Sequence, residues 1–368
     1  MAMFEAIEDI WTKVRDFNEY SKALVTLATS VGAVVIILYT INILYKLFVA
    51  FRLYCLSQCQ CLLKDYKKIY GQWAVISGST DGIGLAMARD LARRGMSIIV
   101  IGRNEEKLAN TKTSLQNEPN VGEVITVKID LSDSSLENFA KIRSQIDPDN
   151  RDIGMLINNA GTFPGKFQRF NRNNIEDLKT IVNLNILATV YLTRMIMPGM
   201  LNRGKGVVIN VSSILGSIPA PYMATYGATK AFVDAFSHQL QVEYADHPVS
   251  IVNLTPGGVH TKLFTRTSKM SKPTIMSPTP EYYARVSLNA LGAGFKNFAG
   301  TAAHAYTHYV GDIFDCLGLV PFFFRINMRL NAREYELSPI MKRKKTPAQS
   351  SDQGNDEVRQ NLSSNNEN

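Results

Sequence analysis

Six short apolar runs, each separated from the next by a segment long enough for a helix, restrict this chain more than any other feature. The runs are Trp73–Ser77, Ser97–Ile101, Val124–Ile129, Ile153–Ile157, Val207–Val211 and Val249–Leu254. Between them lie Ile83–Arg94, Glu105–Gln116, Leu136–Gln145, Ile175–Leu201 and Tyr226–Tyr244. Runs that do not alternate with polar residues suit strands covered on both faces, and strand–helix alternation argues a parallel sheet. The expected fold class is therefore α/β, a doubly wound parallel sheet, forming one domain over residues 70–331. No internal repeat is visible.

The N-terminal part follows a different rule. Leu24 to Leu44 contains no charged residue. At ~1.5 Å per residue such a stretch reaches about 32 Å, against a hydrocarbon core of roughly 30 Å. A transmembrane helix is expected within 23–51, after an N-terminal segment 1–22. A cleaved signal peptide would have a shorter apolar core, nearer the terminus, with a small-residue cleavage site. Lys46, Arg52, Lys64, Lys67 and Lys68 follow the apolar stretch, and the positive-inside rule then places the C-terminal bulk in the cytosol. Residues 52–69 form a basic linker carrying Cys55, Cys59 and Cys61. These three are read either as S-acylation sites or as reduced thiols at a membrane surface. Four cysteines in so long a chain make no secreted disulfide framework. The net charge of +8 owes part of its excess to Lys342–Lys345. No basic helical face with interleaved aromatics suggests nucleic acid. Residues 332–368 read as a basic, then polar tail, disordered after Ala348.

The first strand runs straight into Gly78-Ser79-Thr80-Asp81-Gly82-Ile83-Gly84. Glycines there let a backbone turn tightly and approach a pyrophosphate at a helix N-terminus. The second strand ends at Gly102-Arg103, where an NAD site would place a carboxylate. A guanidinium suits a 2′-phosphate instead, so NADPH is the expected cofactor; the plain alternative is a solvated Arg103. Asp130 closes the third strand and is read either as an acceptor for the adenine amino group or as a helix cap. Asn158-Asn159-Ala160-Gly161 ends the fourth strand. It is read either as a close passage beside the cofactor or as amides cross-linking strands.

Tyr226 and Lys230 stand four apart at the start of a helical run, so their side chains share one face. An ammonium at ~4 Å favours phenolate by roughly 4 kcal/mol at an effective dielectric of 20, which would bring the phenol from about 10 toward 7. Ser213 follows the fifth strand, at the carboxyl end of the sheet where ligands bind in such folds. Asn185 lies in the helical stretch before it.

Gly78-x-x-x-Gly82-x-Gly84, Asn158-Asn-Ala-Gly161, Asn185, Ser213, Tyr226-x-x-x-Lys230 and Pro256-Gly-Gly-Val-His-Thr261 occur in one order. That order resembles the short-chain dehydrogenase/reductase family, over roughly Gly71 to Thr261. The resemblance implies a Rossmann-type fold and a nicotinamide cofactor. It implies that Tyr226 donates the proton to a carbonyl oxygen, with Lys230 lowering its pKa and holding the nicotinamide ribose. Ser213 would polarise the carbonyl, and Asn185 would hold a water of the proton relay. The residues it assigns to the cofactor are Gly78, Ser79, Asp81, Gly82, Ile83, Gly84, Arg103, Asp130, Asn158, Ala160, Gly161, Tyr226, Lys230, Pro256, Gly257, Val259 and Thr261, with Thr261 on the carboxamide. Tyr70-Gly-Gln-Trp73, Pro198-Gly-Met200, Phe232-Val-Asp234 and Lys272-Pro-Thr274 are further similar to a membrane branch of the family. That branch contains 17β-hydroxysteroid dehydrogenases, very-long-chain 3-oxoacyl-CoA reductases and hydroxysteroid dehydrogenase-like proteins. It implies the endoplasmic reticulum membrane and a lipophilic ketone or acyl-CoA substrate, and family members often form a homodimer through the helices after the fourth and fifth strands. Some dehydrogenase-like members lack the tyrosine; this chain keeps it. A dilysine retrieval signal acts only at the extreme C-terminus, whereas Lys344-Lys345 lies inside the tail.

The substrate loop is expected over 262–280. Leu263, Phe264, Met270, Ile275 and Met276 suit an adaptable apolar wall. Lys262, Arg266, Lys269 and Lys272 are read either as contacts for coenzyme A phosphates or as solvated bases. Ile313–Phe324 is too short to span a bilayer and is read as a second membrane contact, or else as a core or dimer helix. His304 and His308 are four apart but have no third ligand, so no metal is expected. The sequons at Asn210 and Asn253 fall on strands expected to be buried. Two function classes stand: a membrane-anchored NADPH-dependent ketoreductase, and a non-catalytic membrane protein that keeps the fold as a scaffold or lipid-binding module.

Overall fold

The computed structural model describes residues 2–59, 65–163, 165, 167–219, 222–266, 271–319, 322 and 326. Cys61, Lys64, Lys269, Met270, Lys344, Lys345 and the polar tail lie outside the described residues.

Seven parallel strands form one sheet in the order β3-β2-β1-β4-β5-β6-β7. They are β1 Trp73–Ser77, β2 Ser97–Gly102, β3 Val124–Lys128, β4 Ile153–Asn158, β5 Gly206–Val211, β6 Val249–Leu254 and β7 Asn297–Phe298. The order reverses between β1 and β4, and the crevice at that switch point is where ligands bind in open α/β sheets. Side chains alternate between the two faces. Ala74, Ile76, Ile98, Val100, Met155 and Ile157 pack in one core cluster with Met87, Leu91, Tyr283 and Leu288. Val75, Ile99, Ile101 and Leu156 pack on the opposite face with Ile142, Leu192 and Ile196. This is the doubly wound arrangement expected from the continuous apolar runs.

The helices carry their own start signals. In α3 (Gly82–Arg93), α4 (Glu105–Gln116) and α5 (Leu136–Ile146), the side chains of Asp81, Asn104 and Ser135 accept from the first-turn amides, as N-caps do. The segment expected as one helix over 175–201 is α6 (Ile175–Val182) and α7 (Ala188–Arg203), joined by a π turn at Asn183–Leu187. Such insertions concentrate at functional sites, and this one contains Asn185. α8 (Ala224–Glu243) carries Tyr226 and Lys230.

Beyond β6 the sequence reading missed four elements: the one-turn helix α9 (Lys262–Thr265), then α10 (Pro280–Gly292), β7 and α11 (Ala302–Cys316). β7 is too short to show a period. α10 bears a legible start, with Thr279 accepting from Tyr282 N and Pro280 in the first turn. It packs across α3 and buries Tyr283, Val286 and Leu288. Tyr66, on α2 (Tyr66–Ile69), donates from its hydroxyl to Leu288 O and ties the linker to α10.

At the N-terminus one helix, α1 (Ala2–Tyr54), runs through both the polar leading segment and the apolar stretch. No proline interrupts it, and Lys13–Asp9 and Lys22–Glu19 pair along its polar half. Its apolar residues face outward: Leu24, Val25, Val34, Ile36, Leu38 and Leu44 are all more than half exposed. Cys55 and Cys59, just past its end, are exposed free thiols. In α11 and after it, Ile313, Leu317 and Phe322 are exposed, while Phe314 packs on Ile214 and Ile218. Asn210 and Asn253 are buried, as expected of the sequons.

Candidate active site

The turn after β1 is shaped by its glycines. Gly78 and Gly82 have φ of +64° and +57°, a region that disfavours any Cβ. At Gly84 a Cβ would sit 2.5 Å from Gly78 O and overlap Asn159 Nδ2. The turn therefore closes on itself only with three glycines, and it leaves the N-terminus of α3 facing the crevice. Ser79 is buried, and its hydroxyl donates to Ile76 O at 2.8 Å. The side chain expected on the cofactor thus closes the turn. Asp81 caps Gly82 N at 2.8 Å and pairs with Lys262 at 3.0 Å, which spans the mouth from α9. A Cβ on Gly82 would meet Thr261 Cγ2 at 3.0 Å, so the two ends of the expected cofactor set are neighbours. Ile83 packs partly buried against the core. This narrow cradle fits a pyrophosphate.

Arg103 is exposed and reaches Asp130 at 3.5 Å. Asp130 does not cap the next helix, because Ser135 does that. Its carboxylate accepts instead from Ser132 N and Ser132 Oγ, at 2.9 and 2.7 Å. Burial pushes that carboxyl up, but the Ser132 bonds and the Arg103 guanidinium outweigh it and hold it below the usual range.

The two amides after β4 act as cross-links. Asn158 Nδ2 donates to Asn210 Oδ1 at 2.8 Å and to Thr193 Oγ1 at 2.9 Å, joining β4 to β5 and α7. Its side chain, expected among the cofactor contacts, is buried and donates into the core through Nδ2, while its Oδ1 has no partner among the described residues. Asn159 Nδ2 donates to Ser77 O and Gly78 O. Ser77 Oγ accepts from Asn159 N and Ala160 N at 3.0 Å. Ser77 had no motif to mark it.

Asn185, Ser213, Tyr226 and Lys230 come together. Asn185 Oδ1 accepts from Thr162 N at 2.8 Å. Asn185 Nδ2 donates to Thr162 O and to Thr229 Oγ1, and Thr229 Oγ1 donates to Tyr226 O. Thr229 was missed by the sequence reading, although it sits inside the Tyr–Lys motif. Gly161 separates the pair: a Cβ there would be 3.3 Å from Asn185 Oδ1 and 3.4 Å from Lys230 Nζ. Lys230 Nζ donates to Val211 O at 2.8 Å and lies 5.8 Å from the Tyr226 ring centroid. Ser213 lies close enough to the Tyr226 hydroxyl to favour its ionised form.

The electrostatic expectation for this pair is reversed. Burial pushes the Tyr226 phenol up, and only Ser213 opposes it. The same burial lowers Lys230 to about 8, against the opposing pull of Asp234. Desolvation disfavours both charged forms, and here it exceeds the attraction inferred from spacing. The resting pair is thus a protonated phenol beside an ammonium whose proton is loosely held.

Phe163, Phe167 and Met223 form a small buried cluster with Leu215, Tyr222 and Tyr226, and the Phe163 ring meets Tyr226 edge-on at 6.2 Å. This apolar wall lay in loops without periodicity and was not foreseen. At the far side, Pro256 O accepts from Ile214 N at 3.0 Å. Val259 is buried, and Gly257 and Gly258 press on the His304 and Phe264 rings. His304 Nε2 and His308 Nε2 lie 3.1 and 3.3 Å from Gly258 O and Thr255 O. Both histidines are thus engaged with backbone carbonyls. Among the described residues no group of three or more His, Cys, Asp or Glu side chains gathers to hold a metal.

Residues 72–272 match the model of the short chain dehydrogenase family. A very-long-chain 3-oxoacyl-CoA reductase of Danio rerio is 34% identical over 322 residues, covering 86% of this chain and 93% of the relative. An inactive hydroxysteroid dehydrogenase-like protein 1 of Homo sapiens is 36% identical over 241 residues, 66% of this chain and 72% of that one. Among solved structures, a 7β-hydroxysteroid dehydrogenase superposes with a TM-score of 0.59 at 22% identity, covering 67% of this chain and 93% of that one.

Proposed function

This chain belongs to the short-chain dehydrogenase/reductase family, and on that premise we propose that it is a membrane-anchored, NADPH-dependent reductase of a lipophilic ketone. The observation that carries the reading is the meeting of Ser213, Tyr226, Lys230 and Asn185 beneath the Phe163–Phe167–Met223 wall. A long-chain 3-oxoacyl-CoA is the first substrate class, supported by the name of the Danio rerio relative; a 17-ketosteroid is the second.

The geometry supports the following roles. Gly78, Gly82 and Gly84 would admit the pyrophosphate, and Arg103 would meet the 2′-phosphate. Gly161, Pro256, Gly257, Val259 and Thr261 would border the nicotinamide half, which supplies the hydride when bound. Ser213 and Tyr226 present their hydroxyls to one space, so a carbonyl oxygen placed between them would receive two donors. Tyr226 passes its proton to that oxygen. The Lys230 ammonium stabilises the phenolate left behind, and Asn185, next to Lys230 across Gly161, would hold the water that resupplies the proton. α1 would hold the chain in the endoplasmic reticulum membrane with the sheet domain in the cytosol, its exposed apolar surface being solvated by lipid.

The test is turnover by purified full-length protein with NADPH or NADH, on a long-chain 3-oxoacyl-CoA and on a 17-ketosteroid. NADPH should be preferred, and Arg103→Ala should raise the KM for NADPH about 10- to 100-fold, the worth of a charge-assisted pair, with NADH little changed. No turnover on either ketone would favour the second reading, a non-catalytic protein like the inactive human relative.

A pH dependence accompanies this mechanism. Because kcat/KM reports the free enzyme, reduction should fall as pH rises through about 8, where Lys230 loses its proton. A profile flat from pH 7 to 9, ordinary assay values, would remove Lys230 from the proton step.

A further inference from the structure

A cavity of about 430 Å3 opens where the end of α1 meets α8 and α11, and none of Asn185, Ser213, Tyr226 or Lys230 lines it. Its size falls in the roughly 300–1,000 Å3 range of small-ligand sites. α1 contributes Lys46, Leu53 and Tyr54, whose spacing of seven and eight puts them on one helical face. The uncharged stretch ends at Leu44. At ~1.5 Å per residue, Lys46 stands about 3 Å beyond it and Tyr54 about 15 Å. The polar layer on each side of a bilayer is roughly 5–8 Å thick, so the cavity begins at headgroup depth.

Its lining has a definite chemistry. Tyr54 and Tyr309 supply two aromatic rings, and Asp234 and Asp312 two carboxylates. Lys46 is the ammonium, with His238 and His308 beside it. Neither Lys46 nor Asp312 makes a hydrogen bond or ion pair with another described residue. The two carboxylates outnumber the one ammonium, so a purely anionic headgroup meets net repulsion from them. Aromatic rings with carboxylates suit a quaternary ammonium, and a lysine suits a phosphate.

We propose that this cavity binds the headgroup of a choline-bearing zwitterionic phospholipid, its trimethylammonium among Tyr54, Tyr309 and Asp312 and its phosphate toward Lys46. The proposal rests on the membrane-anchored reading of α1. Asp234 stands one helical turn beyond Lys230 on α8 and accepts from Asn253 Nδ2 at 2.8 Å. Through it the cavity touches the helix that carries Tyr226 and Lys230.

The experiment incubates full-length protein in detergent with equal amounts of phosphatidylcholine, phosphatidylethanolamine and phosphatidylglycerol of identical chains, and counts retained lipids by native mass spectrometry. Phosphatidylcholine should be retained about tenfold better than phosphatidylglycerol, the scale of a partly desolvated cation–π contact with an ion pair. The double variant Tyr309→Leu, Asp312→Asn, both at exposed positions of α11, should reduce the ratio below about twofold. Equal retention of the three lipids, or a preference the double variant keeps, overturns the site. Flotation with phosphatidylcholine vesicles separates the two readings. Protein that floats without headgroup preference overturns the site alone, whereas protein that does not float overturns the anchor and the site together.

Discussion

Tyr226→Phe should leave a folded, cofactor-binding protein whose turnover is about a thousandfold slower, within the range a positioned acid contributes. The substitution removes one oxygen and keeps the ring. That ring is half-buried against Phe163 and Met223, so its packing survives. What is lost is the hydroxyl that faces Ser213. Ser213 Oγ keeps a partner in Leu215 N at 3.2 Å and does not become an orphaned polar atom. The loss should therefore fall on kcat, with the dissociation constant for NADPH moving less than about threefold, since uniform binding is untouched. Stopped-flow turnover and cofactor fluorescence titration measure the two separately. A variant that reduces ketones at the parental rate would remove Tyr226 as the acid. A variant that loses cofactor binding together with turnover would instead mean that the hydroxyl supports the site's structure.

The second large effect is expected at a residue with no side chain. Gly84→Ala places a Cβ against Asn159 Nδ2 and 2.5 Å from Gly78 O. Neither can retreat cheaply, because Asn159 Nδ2 is itself bonded to Ser77 O and Gly78 O. The turn must open or α3 must move away from β1. Overpacking of this kind costs roughly 1–3 kcal/mol. Displacing a ligand-positioning element by about 1 Å costs on the order of a hundredfold in rate. The variant should therefore unfold at lower denaturant concentration and lose about a hundredfold in kcat/KM for NADPH. Gly165→Ala is the control, since nothing lies within 4 Å of a Cβ there. Its φ of +70° should cost a little stability and no cofactor affinity. Equal losses at both positions would mean that chain entropy, not the cradle, governs the turn.

Some of this molecule is written in local pattern. The inner strands are legible because a strand buried on both faces is mostly apolar, and Val75, Ile99, Leu156, Val208 and Ile251 meet that demand, whereas β3, at the sheet edge, is only partly buried and ends on exposed Lys128. The glycine turn is legible because positive φ at Gly78 and Gly82 excludes most other residues. Tyr226 and Lys230 are legible as neighbours because helical geometry fixes what lies four residues apart. α1 shows itself by length and absence of charge. Other features lacked such a period. β7 pairs through Asn297 and Phe298 alone, and the aromatic wall over Tyr226 is assembled from loops separated in sequence.

Burial, more than position, is where sequence reasoning reached its end. Spacing alone argued that Lys230 would draw the Tyr226 phenol down. The packed site pushes it up, because desolvation sums over every atom that excludes water from the pair. Asn158 could equally have faced a ligand or a neighbouring strand, and only the arrival of Thr193 and Asn210 from distant elements committed it. The chain by itself determined which residues form the sheet, the cradle and the reactive pair, since these follow from stereochemistry between near neighbours. The tertiary structure decided their charge states, their partners and the second cavity beside α1, since each depends on which remote surfaces are brought into contact and how much water they displace.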